Sequence, residues 1–269
     1  MMDRPNWAPD EVDLAHPSVA RVYDYYLGGS HNFESDRQFA DRVLGVLPEM
    51  AAVAQQNRAF LRRSVRYLCQ TGIDQFLDLG SGIPTAGNVH EIVGSFSPRS
   101  RVLYVDHDPV AVMHSRELLA GNEQTEVMAA DLAEPDRVLA DPALRNHLDL
   151  SRPMAVLLVS VLHFVADDLR PAEIIRTYMD ALPRGSHLVI SHASHEGNDN
   201  AAGAQAIYNQ QRSPNPMRMR TSAEVTELFG DLTLVDPGVV RIPTWRPDSP
   251  AGAGPASDRY PGHAGVAFG

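Results

Sequence analysis

The chain has 269 residues, of which 43% are hydrophobic and 21% are charged, a composition typical of globular proteins that bury a core. Its formal net charge of −11 repels phosphate backbones, so nucleic acid is not expected as its principal partner. The single cysteine, Cys69, excludes an intrachain disulfide and a metal cluster built on cysteines.

The first seventeen residues are polar and include four acids, without the apolar centre of a signal peptide. The longest apolar run, residues 154–162, is too short to span a bilayer and contains Ser160. We therefore expect a cytoplasmic protein without a membrane partner.

Helical patterns fill the first quarter of the chain. The first begins at about Ser18 and ends at Gly28-Gly29. The second has the capping-box spacing of Ser35 and Gln38 at its start. The third covers residues 50–69, with one apolar face. We expect residues 1–72 to form a helical N-terminal extension or lid.

From residue 75 onward, short apolar runs alternate with helical segments. The predicted strands cover residues 76–79, 101–106, 126–130, 154–161, 187–191, 232–235 and 265–268, and the predicted helices between them cover 85–93, 108–119, 171–182 and 221–229. This alternation predicts an α/β fold whose parallel sheet is covered by helices on both faces. We assign residues 73–269 to this domain, with an insertion at 195–220 and a Pro/Gly-rich loop at 243–262.

A glycine turn follows the first predicted strand, in the run FLDLGSGIPT that ends at Thr85. Gly80 and Gly82 let the backbone bend tightly and approach a ligand, although a Gly-x-Gly pair alone is equally typical of a structural turn. Thr85 stands where a dinucleotide-binding motif has its third glycine. Asp78 places a carboxylate in a buried strand, which suits a cationic ligand. S-adenosylmethionine (SAM) carries an ammonium and a sulfonium but no phosphate, so the turn favours SAM.

The next two predicted strands also end in acids. Asp106 follows the second strand and can accept hydrogen bonds from both hydroxyls of a ribose. Asp131 follows the third and can accept one from an adenine amino group. Because ligands of open α/β sheets bind outside the carboxyl ends of the strands, three acids at consecutive ends favour a nucleoside site over three unrelated loop residues.

The segment Asp-Leu-Gly-Ser-Gly at 78–82, with Asp106 and Asp131, resembles the class I SAM-dependent methyltransferases. The segments RVYDYYLGG at 21–29 and NRAFL at 57–61 are similar to an actinobacterial methyltransferase family, and this resemblance extends from about residue 17 to the end. It implies a Rossmann-like sheet of seven strands, the last antiparallel. It also implies that the glycines flank the methionine part of SAM, the second acid holds the ribose and the third holds the adenine.

The residues that we predict to bind the cofactor lie at the strand ends and in the N-terminal segment: Asp78, Gly80, Ser81, Gly82, Thr85, Asp106, His107, Asp131, Leu132, Ser160, Val161, Tyr26, Gly29, His31 and Asn32. Tyr23 and Tyr26 suit a packed core as well as a lid. Arg58 could pair with the cofactor carboxylate or lie on the surface.

His163 follows the fourth strand and could act as a general base, because imidazole titrates near neutrality. It could equally pack against the adenine or cap a helix. His192 and His195 lack a clear third ligand, so no metal is expected. Residues 208–220 could line an acceptor pocket.

The sequence predicts a SAM-dependent methyltransferase whose acceptor is a small molecule or a protein. A non-catalytic SAM- or nucleoside-binding regulator would carry the same glycines and acids. An NAD-dependent oxidoreductase is disfavoured by the missing third glycine and by Asp131.

Overall fold

The computed structural model describes residues 12–84, 87–210, 216–249 and 259–269, so Thr85 and Arg212 lie outside the described residues. The α-helices in these ranges are α1 (Val19–Tyr26), α2 (Glu34–Val46), α3 (Met50–Gln70), α4 (Val89–Gly94), α5 (Pro109–Leu118), α6 (Pro135–Ala140), α7 (Pro142–His147), α8 (Pro171–Asp180), α9 (Asp199–Asn209) and α10 (Ser222–Glu227). The strands are β1 (Gln75–Leu79), β2 (Arg101–Asp106), β3 (Thr125–Ala129), β4 (Ala155–Val159), β5 (His187–Ala193), β6 (Thr233–Leu234), β7 (Val240–Arg241) and β8 (Gly262–Phe268).

The strands form one sheet in the order β3-β2-β1-β4-β5-β8-β6, with β7 also paired to β8. The first five strands are parallel, whereas β8 runs antiparallel to β5, β6 and β7. The structure thus confirms the predicted α/β sheet with an antiparallel last strand. The described ranges hold eight strands rather than seven, because residues 240–241 form an additional short pairing with β8 that has no sequence pattern of its own.

A hydrophobic core lies on each face of the sheet, as expected for parallel strands buried on both sides. On one face, Leu77, Leu103 and Leu158 pack with residues of α6, α7, α8 and α10. On the other, Phe76 and Val102 pack with residues of α3, α4 and α5. In the part of the chain that the structure describes, no helix is long and apolar enough to cross a membrane.

Two predicted helix starts are wrong. The helix placed at 85–93 begins at Val89, after Gly87 in a left-handed conformation. The cap predicted at Ser35 and Gln38 is absent, because α2 begins at Glu34 and Asp36 accepts the N–H of Phe33 at 2.8 Å. By contrast, the helix predicted from residue 221 does start there: α10 begins at Ser222, and Thr221 and Glu224 form a capping box.

The N-terminal helices α1 and α2 pack with α9 in a third cluster, which contains Val22, Tyr26, Phe39, Leu47 and Ala204. The next helix, α3, belongs mainly to the core on one face of the sheet. The extension therefore contacts both the sheet and the segment predicted as an insertion, and a domain boundary near residue 72 stays a prediction.

A buried ion-pair network joins this extension to the sheet domain. Arg21 on α1 donates from Nε to Asp36 Oδ2 at 2.8 Å, and its Nη1 lies 3.8 Å from Asp108 Oδ2. Asp108 caps α5 by accepting the N–H groups of Val110 and Ala111. The hydroxyl of Ser18 also donates to Asp108. Because these groups are buried, each charge depends on its partners.

We expect Arg21→Met to lower the free energy of unfolding by about 3–5 kcal/mol, because it leaves the buried carboxylates of Asp36 and Asp108 without their cation. Arg137→Ala removes an exposed ion pair with Glu134 and should change the free energy of unfolding by less than about 1 kcal/mol. Denaturant unfolding of both variants measures the difference. Equal effects would show that the buried network does not stabilise the extension.

Candidate functional site

A deep cavity opens at the carboxyl ends of β1, β2, β4 and β5, beneath α1 and α3. One half of its lining comes from the loops that follow the strands. These residues are Asp78, Gly80, Ser81, Gly82, Ile83, Val105, Asp106, His107, Asp108, Ala130, Leu132, Ser160 and Val161. The sheet therefore brings together most of the predicted strand-end residues in one place.

The glycine turn after β1 closes onto β2. The N–H groups of Gly80 and Ser81 donate to the carbonyl of Val105 at 2.8 and 3.2 Å. Gly80 and Gly82 both have left-handed backbones, with φ of 74° and 67°, which glycine adopts without strain. A Cβ on Gly80 would lie 2.4 Å from Cγ2 of Val161, whereas a Cβ on Gly82 would project into open space. The turn thus leaves an uncovered backbone surface in the cavity at Gly82.

Asp106 links this turn to the next loop. Its Oδ2 accepts the N–H of Gly82 at 2.7 Å and its Oδ1 accepts the N–H of Asp108 at 2.9 Å. The residue is 8% exposed, and burial raises the pKa of its carboxyl although both N–H donors lower it. Each carboxylate oxygen has a second lone pair, so both can also accept hydroxyls of a ligand.

Asp78 lies beside Asp106 at the floor of the cavity and is 6% exposed. Burial raises its pKa to about 7, with Asp106 adding to the rise and Arg58 opposing it. The guanidinium of Arg58 lines the same cavity and donates to Gly87 O and Asn88 Oδ1, both at 3.0 Å. This floor is therefore a place where a ligand cation would be favoured.

The third predicted acid has a different environment. Asp131 is exposed, accepts the N–H of Ala133 at 2.8 Å, and does not line the cavity, whereas its neighbours Ala130 and Leu132 do. His107 is exposed at the rim. The adenine role of Asp131 stays a prediction.

Ser160 and Val161 follow β4 and form the wall opposite the glycine turn. Ser160 has a φ of 61°, a left-handed backbone that costs free energy for a residue with a side chain. Its N–H donates to Ser191 O on β5 at 3.1 Å. This bend turns Val161 towards Gly80, so the two loops meet at the cavity.

The N-terminal loop that was predicted to contact the ligand surrounds the carboxylate of Asp24 in this structure. The N–H of His31 and the amide of Asn32 both donate to Asp24 Oδ2 at 2.9 Å. A Cβ on Gly29 would lie 1.9 Å from Asp24 Oδ1. Tyr26 is buried in the cluster of α1, α2 and α9, with its hydroxyl 3.5 Å from that of Tyr208. None of these four predicted residues lines the cavity as the structure describes it.

The other half of the cavity is mainly apolar and lies under the helices. Its apolar side chains are Leu27, Leu47, Met50, Ala54, Phe164, Ala204, Met217 and Met219. Its polar groups include Tyr23, Asn57, His163, His192, Tyr208 and Tyr260. We call this part the apolar half and the part at the strand ends the polar half.

Sequence reasoning missed Asn57, which joins the covering helices to the sheet. Its Nδ2 donates to Tyr23 Oη at 2.9 Å, and its Oδ1 accepts the hydroxyl of Ser191 at 2.6 Å. Tyr23 in turn donates to Ala54 O at 3.2 Å. Only the family resemblance of residues 57–61 could have drawn attention to Asn57, because its partner lies 134 residues away in the chain.

The histidines separate into cavity residues and a surface residue. His163 and His192 line the cavity with ring centroids 5.5 Å apart, while His195 is exposed and outside it. The described ranges contain no group of three histidine, cysteine or acidic side chains arranged to hold a metal ion.

Residues 5–269 match the sequence model of a family described as S-adenosyl methyltransferase. The solved structure of a candidate methyltransferase from Thermobifida fusca is 39% identical, with a TM-score of 0.92 over 98% of this chain and 99% of that one. A DUF574 family protein from Streptomyces avermitilis is 36% identical, with a TM-score of 0.90 over 95% and 98%.

More distant proteins share parts of the chain or only the fold. Ribosomal RNA small subunit methyltransferase H of Halorhodospira halophila is 33% identical over 108 residues, which span 38% of this chain and 33% of that protein. The N-methyltransferase NodS of Bradyrhizobium japonicum, crystallised with S-adenosylhomocysteine, is 14% identical with a TM-score of 0.52 over 92% and 98% of the two chains.

The two glycines of the turn provide a matched pair for mutation. We expect Gly82→Ala to cost about 1–2 kcal/mol in unfolding free energy from its left-handed backbone alone. Gly80→Ala should cost about 1–3 kcal/mol more, because its methyl group overlaps Val161. Adding Val161→Ala should recover part of that difference in thermal unfolding. Equal losses at both glycines would show that the loops do not meet as closely as described.

The raised pKa of Asp78 predicts a pH dependence of stability. The folded state holds a proton on this carboxyl up to about pH 7, while an unfolded chain releases it near pH 4. The contribution of Asp78 to the free energy of unfolding therefore falls as the pH rises from 4 to 7, and it stays low above pH 7. Asp78→Asn should remove that fall in denaturant titrations, whereas Asp131→Asn at the exposed carboxyl should retain it. An unchanged fall in Asp78→Asn would contradict the assignment.

Proposed function

The chain belongs to the S-adenosyl methyltransferase family, and on this premise we propose that its strand-end cavity binds SAM and a small-molecule acceptor side by side. Its cofactor is SAM and its reaction is methyl transfer. The polar half would hold the cofactor and the apolar half the acceptor. The observation that supports this division most strongly is the pair of buried carboxylates, Asp78 and Asp106, at one end of a cavity whose other end is apolar.

The donor set of the polar half fits SAM. Asp78 is buried with a raised pKa, so a cation that replaces water beside it would stabilise its ionised form. SAM has two such cations, and we assign its methionine part to Asp78 with the turn of Gly80, Ser81 and Gly82. The open backbone at Gly82 gives the cofactor room that a Cβ would fill. Thr85, outside the described residues, stays a predicted contact.

The nucleoside end fits the next two loops. Asp106 would accept the ribose hydroxyls with its free lone pairs while it keeps its bonds to the backbone. Ala130 and Leu132 offer an apolar surface for the adenine, and we assign Asp131, which lies between them in the chain, to its amino group. His107 at the rim and Ser160 with Val161 on the opposite wall complete the proposed contacts.

Tyr26, Gly29, His31 and Asn32 are assigned an indirect role. Their contacts hold the end of α1 around Asp24, and α1 in turn presents Tyr23 and Leu27 to the cavity. They would therefore position the cover of the site rather than touch the cofactor.

SAM supplies a methyl group on a sulfonium, and its transfer is an in-line displacement that depends mainly on positioning. The residues of this chain hold the two reactants and exclude water from the space between them. The hydrogen bonds of Asn57 to Tyr23 and Ser191 hold the covering helices over the strand ends. They therefore fix the position of the apolar half relative to the polar half.

A small-molecule acceptor is favoured over nucleic acid. The lining of the apolar half carries mostly aliphatic and aromatic side chains, as small-molecule sites do. The net charge of −11 opposes binding of RNA. The ribosomal RNA methyltransferase matches only part of this chain, so its substrate is not carried over.

Calorimetric titration with S-adenosylhomocysteine tests the cofactor site. We expect saturable binding by the wild type, at least about tenfold weaker binding by Asp106→Asn, and no binding of NAD. Asp106→Asn loses the charge but keeps the size of the side chain and one carbonyl oxygen, so we expect it to fold. Thermal unfolding checks this. Asp131→Asn tests the adenine contact separately, with a smaller loss expected for an exposed group.

Two results would count against this assignment. Equal affinity of the wild type and Asp106→Asn would remove Asp106 from the ribose site. Binding of NAD in place of S-adenosylhomocysteine would favour the oxidoreductase alternative.

A further inference from the structure

His163 lies where the two halves of the cavity meet. It belongs to the short 3-10 turn Leu162–Phe164 that follows β4, directly after Ser160 and Val161. Its side chain lines the cavity and is 5% exposed. Its buried Nδ1 has no hydrogen-bond partner among the described residues. A buried polar group without a partner destabilises the protein unless a ligand supplies one.

The backbone on both sides of His163 is fixed by hydrogen bonds from two arginines. Arg220 donates to Leu162 O at 3.1 Å and to Val165 O at 3.3 Å, on either side of the histidine. The N–H of Arg218 donates to His163 O at 2.7 Å. The imidazole is therefore presented to the cavity by a fixed turn, as a ligand-binding group needs to be.

Both ring nitrogens of the neighbouring His192 already have hydrogen-bond partners. Its Nδ1 lies 2.7 Å from Ala193 O and its Nε2 lies 2.8 Å from Nη1 of Arg220, so Nδ1 carries the proton and Nε2 accepts. Burial lowers the pKa of His192 to about 3. Burial, with His192 and Arg220, likewise lowers the pKa of His163 well below its usual value. Both rings are neutral at pH 7, and the unpartnered Nδ1 of His163 can bond to a ligand. Because the pKa of His163 is lowered, the ring takes up a full proton only as another positive charge leaves the site, as the sulfonium charge of SAM does during methyl transfer.

The distribution of charge separates acceptor classes. The described carboxylates that line the cavity, Asp78, Asp106 and Asp108, all lie in the polar half. An ammonium in the apolar half would have no counter-charge. An anionic acceptor would also lack a partner there. The guanidinium of Arg220 is already bonded to His192, Asp167 and backbone carbonyls, and that of Arg58 is bonded to Gly87 and Asn88 beside the polar half.

We infer, on the basis of the proposed function, that the apolar half binds an uncharged, largely apolar acceptor with a phenol-type hydroxyl, and that His163 receives the proton of this hydroxyl during O-methylation. The acceptor oxygen forms a bond to the methyl carbon as its O–H bond breaks. The electron pair of the broken carbon–sulfur bond stays on the sulfur, which leaves as a neutral thioether. The proton on His163 passes to solvent when the products leave.

The apolar half supplies the remaining recognition. Met50, Met217 and Met219 give flexible apolar surfaces, and Phe164 and Tyr208 have ring centroids 5.7 Å apart. Flat aromatic molecules pack well against such groups.

The test uses 1-naphthol and its methyl ether, 1-methoxynaphthalene, as matched probes on the protein saturated with S-adenosylhomocysteine. Calorimetry should show 1-naphthol bound roughly tenfold tighter, since only it can donate a hydrogen bond to His163. This preference should disappear in His163→Phe, which keeps a ring without nitrogen, and return in part in His163→Gln. His195→Phe, which changes an exposed histidine, should leave it intact. The cation 1-naphthylmethylammonium should not bind.

Methyl transfer from labelled SAM to 1-naphthol gives a second measurement, with a loss of about 10²- to 10⁴-fold expected in His163→Phe. The inference is overturned if 1-naphthol does not bind, if the wild type does not prefer it to the ether, if the preference survives in His163→Phe, or if the ammonium binds more tightly. Failure of the wild type to bind S-adenosylhomocysteine would instead contradict the proposed cofactor site. Retained binding of S-adenosylhomocysteine by His163→Phe separates the two results.

Discussion

The hydrogen bonds accepted by the carboxylate of Asp106 determine how the rest of the site is arranged. They fix the glycine turn at Gly82 and the start of the following loop at Asp108. Asp108 then caps α5 and contacts both Ser18 and Arg21 of the covering helices. The buried side chain of Asp106 therefore connects the glycine turn in the cavity with the helices that cover it. Displacement of Asp106 would disturb the cofactor side and the cover together, although they come from distant parts of the chain.

This arrangement buries two carboxyl groups side by side, away from water. Asp78 and Asp106 are both nearly buried at adjacent strand ends, and burial raises the pKa of each. In an isolated protein such a pair opposes folding at neutral pH. A ligand with positive charge offsets that cost, so affinity for the cofactor and a stability penalty in its absence have the same physical origin. The apolar half carries no comparable charge among its described residues, which confines the strong electrostatics to one side of the reaction.

The sequence was sufficient to predict the elements that depend on local chemistry. The alternation of apolar runs and helical segments predicted the parallel sheet, and the acids at strand ends predicted which loops converge. The helix starts predicted at residues 108 and 221 agree with α5 and α10, because the caps Asp108 and Thr221 bond to groups within three residues. Interactions between distant residues were not predictable. The start of α2 follows from Asp36, which Arg21 holds through the buried network, and the contacts of Asn57 depend on a strand far along the chain.

The loop at Gly28–Asn32 illustrates why residue type alone is ambiguous. Its glycines and polar side chains are typical of a ligand contact. In the structure they surround the carboxylate of Asp24, and only glycine fits at position 29 because a Cβ there would overlap that carboxylate.

The apolar half has another consequence. Its walls come from the N-terminal helices and from residues 204–208 and 217–219, while the proposed cofactor residues lie at the ends of β1, β2 and β3 and on the loops that follow them. On the proposed assignment, descendants of one ancestral gene could exchange one acceptor for another through changes in side chains such as Met50, Tyr208 and Met217, without altering the residues assigned to the methyl donor.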